Sequence, residues 1–261
     1  MLQETGIIIS LIWDLAGNDF KTKYAGSFLG IIWSFIQPLI TILVYWIVFQ
    51  YGLKVSIENT DVPYVLWFMS GMIPWLYFAD CVGNGVNCLK EYNYLVKKIL
   101  FPVEILPMVK LVSSSFVHVV FLVFLSVLCM IYNLFFGIQL FQLIYFAVCL
   151  SIVNYIWLMF SSSIMVFFKD FGQVIQIVLQ VGMWVTPILW DYHRVPGKYR
   201  WILELNPLFY IVEGYRGSFL GSSGVYPSAF RFWYFWISTF IMLILSICVF
   251  RKLKKHFADV L

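Results

Sequence analysis

Charged residues are scarce in this sequence. Asp, Glu, Lys and Arg make up only 11% of its 261 residues, whereas hydrophobic residues make up 62%. Because a soluble domain usually carries about 25% charged residues, this composition excludes an ordinary soluble protein and predicts a chain that lipid solvates. The formal net charge of +4 is small and gives no indication of nucleic-acid binding.

Motifs for nucleotide, metal and nucleophile chemistry are also missing. No phosphate-binding loop of the form GxxxxGK[ST] occurs, since the Gly-Lys pair at Gly197–Lys198 is followed by Tyr199. There is no HExxH and no GxSxG. The five cysteines include no CxxC pair, which argues against a metal site or a disulfide. We therefore expect a protein that is not an enzyme, has no metal site and binds no cofactor of its own.

Long uncharged runs predict six membrane-spanning helices. A helix needs about 20 apolar residues to cross the hydrocarbon layer. The uncharged runs cover residues 24–53, 62–79, 111–168, 171–190 and 232–250. The third run is long enough for two helices, with a turn between Tyr132–Asn133 and Gly137. Six spans place both termini on the same side of the membrane.

The distribution of Lys and Arg predicts which side that is. If both termini are cytoplasmic, eleven basic residues lie inside, namely Lys21, Lys23, Lys90, Lys97, Lys98, Lys110, Lys169, Arg251, Lys252, Lys254 and Lys255. Six then lie outside, namely Lys54, Arg194, Lys198, Arg200, Arg216 and Arg231. Since cytoplasmic loops carry the excess of positive charge, we expect a multi-pass protein of the cytoplasmic (inner) membrane with both termini in the cytoplasm.

The first 25 residues form a separate pattern. Apolar residues recur at helical spacing, while Asp and Lys residues are interspersed among them. The apolar positions are Ile9, Ile12, Trp13, Ala16, Phe20 and Tyr24. This spacing predicts an amphipathic helix that lies in the membrane interface before the first span.

Residues 191–230, before the last span, are only partly apolar. Trp201–Leu220 has the length of a span, but it contains Glu204, Asn206–Pro207, Glu213 and Arg216. A charge at mid-membrane costs about 3 kcal/mol on insertion scales. We therefore predict two short re-entrant external helices that meet at Asn206–Pro207, because irregular backbone is tolerated at membrane depth only inside protein or beside a wet cavity.

Residues 83–103, which we call the elbow segment, are charged and lie between the second and third spans. Pro102 and Pro107 would kink or stop a helix, which favours a short exposed helix. A soluble partner pushing on this segment is one reading, and anchoring on anionic lipid is another; both can hold together. The candidate contact residues, in this segment and directly after it, are Lys90, Glu91, Lys97, Lys98, Phe101, Pro102 and Glu104.

Aromatic residues make up 20% of the chain. Interface belts and packing account for most of them. Alternatively, some could line a channel, since an aromatic face packs against the apolar C–H surface of a sugar ring. The candidate pore aromatics are Trp33, Phe35, Tyr45, Trp46, Phe49 and Trp184. His118 lies alone inside a span and could relay protons, although a hydrogen bond to a neighbouring helix is the simpler interpretation.

Six segments in order along the chain resemble the membrane subunit of ABC-type polysaccharide exporters, the family that exports O-antigen, capsule and teichoic acid. They are DFKTKYAGSFLGIIWSFIQPL at Asp19–Leu39, SGMIPWLYF at Ser70–Phe78, LVKKILFPVEILP at Leu95–Pro107, FFKDF at Phe167–Phe171, WVTPI at Trp184–Ile188 and NPLFYIVEGYR at Asn206–Arg216. The resemblance covers essentially the whole chain, which we therefore treat as one permease domain over residues 1–261.

The resemblance implies a homodimeric pore flanked by two copies of a separate ATPase, which would hold the ATP and Mg²⁺. The elbow segment would transmit closure of the motor to the first and fifth spans. The substrate would be a polysaccharide on undecaprenyl diphosphate, with membrane lipid as the surrounding partner and no nucleic acid involved. Lys21, Lys23 and Tyr24 could then meet the lipid diphosphate or anchor the interface helix.

The same resemblance places re-entrant external helices at Trp201–Leu220, and a further hypothesis is that Asn206, Pro207, Glu213 and Arg216 form an external gate there. Glu213 and Arg216 are spaced to pair on one helix face, and such a pair could instead merely neutralise two charges at the bilayer edge. Two other functions remain open at this point. One is a drug or lipid exporter of the same fold, and the other is a membrane enzyme acting on lipid-linked sugars through Asp191, His193 and Arg194.

Overall fold

Residues 2–23, 25–54, 62–98, 101–134, 139–221 and 229–261 are described by the computed structural model, and their regular secondary structure is helical without a strand. The all-α prediction is confirmed to this extent. The helices are α1 (Leu2–Thr22), α2 (Trp33–Ile47), α3 (Tyr64–Gly85), α4 (Cys88–Glu91), α5 (Asn93–Val96), α6 (Ile105–Ile131), α7 (Gln139–Phe167), α8 (Phe171–Val185), α9 (Gly197–Glu204), α10 (Pro207–Leu220), α11 (Ala229–Lys254) and α12 (Phe257–Val260).

Among these residues, five helical segments are long and apolar enough to cross a membrane. They are Gly30–Gly52, which is α2 with its flanking turns, Tyr64–Gly85, Ile105–Ile131, Phe141–Phe167 and Ala229–Lys254. The predicted fifth span corresponds to α8, which has only 15 residues and at 1.5 Å per residue falls short of the hydrocarbon thickness. Thr186 ends α8 in an extended conformation, because it precedes Pro187 and a residue before proline avoids the helical region.

Helix α3 lies at the centre of the bundle. It contacts α2, α6, α7, α8 and α10, and 78% of its most apolar stretch is buried, against 11% for the segment containing α2. Pro74 lies inside α3 and Pro38 inside α2, which a membrane bundle tolerates because neighbouring groups satisfy the freed carbonyls. The outer faces of α2, α6 and α11 carry exposed apolar side chains.

Helix α1 packs along α6 and buries only one of its faces. Ala16 is fully buried, and the rings of Trp13 and Phe20 lie 5.9 Å and 5.4 Å from the ring of Phe116. Ile9 and Trp13 remain 56% exposed, so part of the predicted apolar stripe is free for another apolar surface. The chain then turns into α2 at two glycines with positive φ, which favours glycine.

The elbow segment contains two four-residue helices, α4 and α5, where the sequence predicted one short exposed helix. Pro107 does not stop a helix, since it lies in the first turn of α6, where its missing N–H costs nothing. The inner side of the elbow segment packs in an apolar cluster that also holds the end of α11 and α12. Its buried members are Cys88, Leu89, Leu95, Val96, Val103, Leu106, Met159, Val166, Phe250 and Phe257.

At the opposite end, α9 and α10 meet at Asn206–Pro207, where the sequence predicted a junction of two short helices. Asn206 caps α10, since its Oδ1 accepts a hydrogen bond from the Leu208 N–H at 3.0 Å. Its Nδ2 donates to Thr186 Oγ1 at 2.8 Å. Pro207 occupies the first turn of α10, where proline is favoured. The junction therefore also holds the end of α8.

The long uncharged run divides into two helices as predicted. Helix α6 ends at Ile131, Asn133 adopts a left-handed conformation with φ of 56°, and α7 begins at Gln139. Gly137 lies outside the described residues. Four of the five cysteines are buried, but Cys248 is exposed on α11.

Candidate functional site

A polar cavity of about 490 Å³ lies between α2, α3, α6 and α8. It occupies the half of the bundle nearest the elbow segment, since Asp80 and Asn84 are in the last turns of α3. Its polar lining consists of Lys23, Ser34, Gln37, Thr41, Tyr77, Asp80, Asn84, Ser114, His118 and Gln176. So many polar groups between apolar helices are unusual for a membrane bundle, where each needs a partner.

The one carboxylate that lines this cavity is held by three donors. Asp80 Oδ1 accepts from Lys23 Nζ at 2.5 Å and from Asn84 Nδ2 at 2.7 Å, while its Oδ2 accepts from Ser114 Oγ at 2.7 Å. The ion pair connects the chain just after α1 to α3, and the serine connects α3 to α6. The lining therefore contains one positive and one negative charge in direct contact.

His118 forms the hydrogen bond to a neighbouring helix that the simpler interpretation predicted. Its Nε2 lies 3.0 Å from Tyr215 Oη on α10, and its ring stacks on Tyr77 with centroids 4.5 Å apart. The other nitrogen, Nδ1, has no partner within the described protein, and neither does the hydroxyl of Ser34. Both side chains are buried and line the cavity.

A second polar cluster joins α1, α6 and the elbow segment beside this cavity. Lys110 Nζ lies 2.6 Å from Asp19 Oδ1 and 2.7 Å from Glu91 Oε2. Tyr92 Oη donates to the same Asp19 oxygen at 2.9 Å, and burial together with the Asp19 charge raises the pKa of Tyr92. Lys110 of α6 therefore binds carboxylates of both α1 and α4.

The residues of the elbow segment, including those predicted to contact a partner, differ in their exposure. Glu91, Lys97 and Lys98 are exposed beside Tyr94, which is 55% exposed, while Leu95 and Val96 face inward. Lys90 is half-buried, and desolvation followed by the charge of Lys169 lowers its pKa.

The remaining three predicted elbow residues lie at its base and are half-buried, namely Phe101, Pro102 and Glu104. Glu104 pairs with Lys254 at the end of α11. Partial burial raises the pKa of Glu104, but the hydrogen bond from Lys254, a backbone hydrogen bond and the charges of Lys254 and Arg251 together lower it below its ordinary value. The base of the elbow segment is thus fixed to α11, while Tyr94 and its neighbours protrude.

Arg216 forms the centre of the opposite end of the bundle. Its Nη1 donates to Glu213 Oε1 at 2.6 Å, and its Nη2 donates to the Ile188 carbonyl at 2.9 Å. The guanidinium carbon lies 3.7 Å from the centroid of the Trp67 ring. Arg216 is only 4% exposed, and a methyl group on Gly71 would lie 2.9 Å from Nη2. The i, i+3 pairing predicted for Glu213 and Arg216 is present. Arg216 also joins α10 to α3 through Trp67 and to the chain after α8 through the Ile188 carbonyl.

The candidate pore aromatics do not share one surface. Phe35, Tyr45, Trp46 and Phe49 are half-buried against the subunit's own core, and Trp46 Nε1 donates to Gln50. Trp33 and Trp184 are 38% and 55% exposed.

The three residues predicted to meet the lipid diphosphate are also separated. Lys21 is exposed and Lys23 lines the cavity, whereas Tyr24 lies outside the described residues. The candidate enzyme group contains a local pair in which Oδ1 of the half-buried Asp191 lies 2.8 Å from Nδ1 of the exposed His193.

Residues 10–220 match the model of one protein family, described as the ABC-2 type transporter. The chain belongs to the ABC-2 type transporter family. It is therefore a multi-pass membrane permease, and its several long apolar helices agree with that assignment.

Several named relatives of this ABC-2 chain are polysaccharide export or transport proteins. It is 26% identical to the O-antigen export system permease protein RfbA of Klebsiella pneumoniae, over 100% of this chain and 98% of the relative. It is 27% identical to RfbA of Myxococcus xanthus, over 84% and 82%. It is also 21% identical to the polysialic acid transport protein KpsM of Escherichia coli, over 75% and 76%. The chain is thus a transport subunit, and its resemblance to polysaccharide export permeases is confirmed.

Sequence reasoning missed the importance of Asp19, Asp80, Lys110 and Tyr94 in this ABC-2 chain. Lys110 had been counted only as a positive charge on the cytoplasmic side. A usable signal was present, since Asp80 and Lys110 each lie within one or two turns of a long apolar run, where an unpaired charge is costly. The identity of their partners depends on how α1 packs, which the local pattern does not contain.

We predict that Lys110→Met destabilises the protein by about 3–5 kcal/mol, because it leaves the buried Asp19 carboxylate without its cation. Adding Asp19→Asn should restore most of the loss, since the uncompensated charge is then gone. The measurement is thermal or denaturant unfolding in detergent micelles. Lys198→Met, at an exposed position of α9, is the matched control and should change stability by less than about 0.5 kcal/mol. Equal stability of Lys110→Met and the control would contradict the role of this cluster.

Proposed function

We propose that this chain is the membrane subunit that exports an undecaprenyl-diphosphate-linked polysaccharide across the cytoplasmic membrane, powered by a separate ATPase. The observation that carries the proposal is the match to O-antigen export permeases along essentially the whole chain. The geometry supports it, since an exposed elbow segment is anchored by ion pairs to the helices around a polar cavity.

The proposed topology has six spans with both termini in the cytoplasm. Helix α8 is the fifth span, completed by the residues between Thr186 and the Asn206 junction, which are held to α10 by hydrogen bonds. Helix α1 lies in the membrane interface, because Ile7, Ile9 and Trp13 are exposed while Ala16 packs inward. Helices α9 and α10 are the re-entrant external pair before the last span.

The proposed assembly is a homodimer with two copies of an ATPase. Helices α2 and α8 are candidates for the walls of the path between subunits, because their apolar faces are widely exposed in the single chain. Trp33 and Trp184 are then better placed to meet a passing glycan than the four half-buried aromatics. ATP and Mg²⁺ belong to the ATPase, and Lys21 is the cation left to attract a lipid diphosphate in the interface.

The elbow segment is the proposed contact with the motor. Tyr94, Lys97 and Lys98 protrude, whereas Leu95 and Val96 fix the segment to α7 and α11 through the apolar cluster. A large exposed tyrosine on an anchored base has the properties of an interface anchor. Glu91 then transfers the movement to Lys110, and through it to α1 and α6.

The Arg216 contacts are the proposed closed state of the external gate. Arg216 binds three separate parts of the chain, so its release would free the junction of α8 with α10. Asn206 and Pro207 set the position of α10 relative to the end of α8. The re-entrant pair would then move as one unit.

Depletion of the protein in its host tests the proposed function. We expect envelope polysaccharide to disappear from the cell surface while lipid-linked polymer accumulates in the cytoplasm. Normal surface polysaccharide would contradict the proposal and favour a drug or lipid exporter of the same fold. Accumulation of short, unpolymerised lipid-linked units would contradict it as well, and would favour a membrane enzyme.

Replacing Tyr94 by Ala should weaken binding of the ATPase about 30-fold, since an interface anchor contributes about 2 kcal/mol. Tyr199→Ala is the control, because Tyr199 is similarly exposed but lies on α9 at the other end. Affinity is measured between the permease in lipid nanodiscs and the purified motor. If both variants bind the motor as the parent does, Tyr94 is not part of the contact.

Arg216→Ala and Gly71→Ala should both raise the passive leak of solute through the assembled transporter without ATP. The first removes the hydrogen bonds of Arg216 to Glu213 and the Ile188 carbonyl. The second places a methyl group 2.9 Å from the Arg216 Nη2 atom. Gly197→Ala is the control, since no heavy atom lies within 4 Å of the added methyl. Leak is measured in proteoliposomes, and assembly by size-exclusion chromatography. Unchanged leak in assembled variants would exclude the gate.

A further inference from the structure

The size of the polar cavity between α2, α3, α6 and α8 indicates what kind of ligand it can hold. Its volume of about 490 Å³ falls in the range of small-molecule sites, about 300–1,000 Å³. At about 30 Å³ for each water, it has room for roughly sixteen water molecules. It is large enough for a short stretch of sugar units.

The charges of the lining cancel. Lys23 lies 2.5 Å from Asp80, and these are the charged residues among those that line the cavity. A nearby cation, Lys110, is bound to two carboxylates and does not line it. A diphosphate carries several negative charges and requires uncompensated cations or many N–H donors. The cavity therefore favours an uncharged ligand.

The hydrogen-bonding groups of the lining are of mixed character. Gln37, Asn84 and Gln176 each carry both a donor and an acceptor, and hydroxyl groups donate and accept in the same way. Sugar hydroxyls require the same combination. Ile73, Leu76, Val117 and Phe121 provide apolar wall between these groups, against which the C–H surface of a sugar ring can pack.

Two groups of the lining still lack a partner. Ser34 is 3% exposed and His118 is 6% exposed, yet Ser34 Oγ and His118 Nδ1 have no hydrogen-bond partner in the described part of the chain. A buried polar group without a partner costs about 1–3 kcal/mol. Both residues line the cavity, so an occupant with hydroxyl groups would satisfy them.

We propose that this cavity binds a short, uncharged segment of the glycan, one to a few sugar units in length, and not its diphosphate. The inference rests on the proposed function for the identity of the glycan, while the neutral and hydroxyl-rich chemistry follows from the lining. Ser34, Gln37 and Gln176 contact the sugar hydroxyls, and the Lys23–Asp80 pair stays intact.

The test is protection of a cysteine placed in the cavity. Thr41→Cys, with Val117→Cys as a second variant in the cavity lining, is prepared with Cys248→Ser in the complete transporter in nanodiscs. The rate at which the neutral reagent hydroxyethyl methanethiosulfonate labels the cysteine is measured in the presence of each of two added ligands, which serve as probes. The first probe is phosphate-free oligosaccharide released from the host's surface polysaccharide, and the second is inorganic pyrophosphate. Lys198→Cys, on exposed α9, reports any general effect.

At about ten times its dissociation constant, the oligosaccharide should slow labelling in the cavity about tenfold, while pyrophosphate and the Lys198→Cys control show no change. Ser34→Ala should weaken this protection, whereas Ser126→Ala, outside the cavity on α6, should not. Protection by pyrophosphate alone would overturn the proposal in favour of a phosphate site. Labelling without protection would mean a water-filled cavity only, and no labelling would mean a closed one. Either result overturns it.

If the cysteine is not protected but depletion still traps lipid-linked polymer in the cytoplasm, the cavity proposal fails and the export function stands. Normal surface polysaccharide after depletion would instead remove the export function, whatever the labelling result. The two failures are therefore distinguishable.

Discussion

The ion pairs of Lys110 with Asp19 and Glu91 are the interaction on which the arrangement of this permease depends. Hydrophobic burial cannot position helices against each other in lipid, because lipid tails are as apolar as the side chains. A buried carboxylate, by contrast, has one acceptable position, beside its cation. Asp19 is 8% exposed, so α1 must lie where Lys110 is. The same lysine holds Glu91, so the placement of the elbow segment is determined by the same charge.

The opposite end of the bundle is organised in a similar way around one cation. Arg216 is buried among Glu213, the Ile188 carbonyl and the face of Trp67. In a low-dielectric setting, such contacts have few alternatives and fix a unique geometry. Each end therefore has a specific buried ion-pair cluster, while apolar helices connect the two. A transporter that alternates between states needs specific contacts of this type, since packed interfaces switch between discrete arrangements and do not deform continuously.

The sequence was sufficient for the fold class, the division of residues 111–168 into two helices, the helix at the N-terminus and the junction at Asn206–Pro207. These features follow from local rules, namely uncharged length, helical spacing and the conformational limits of proline. The length of α8 was overestimated because hydropathy does not register that Thr186 precedes Pro187. The partners of Asp19, Asp80 and Arg216 could not be predicted, since each pairs with a helix whose position results from tertiary packing. The candidate pore aromatics illustrate the same limit, because four of the six pack into the subunit's own core.

The neutrality of the cavity is consistent with the proposed export of a long polymer. In that proposal the lipid diphosphate passes a given point once, whereas sugar units pass it many times, so a site that the polymer crosses repeatedly has to recognise the sugar. Such a site must bind strongly enough to admit each unit and weakly enough to release it, as in other conduction pathways. Amide and hydroxyl groups provide that balance better than unpaired charges, because each hydrogen bond contributes only about 1 kcal/mol net. The pairing of Lys23 with Asp80 removes from the cavity the one positive charge that would otherwise hold an anion in place.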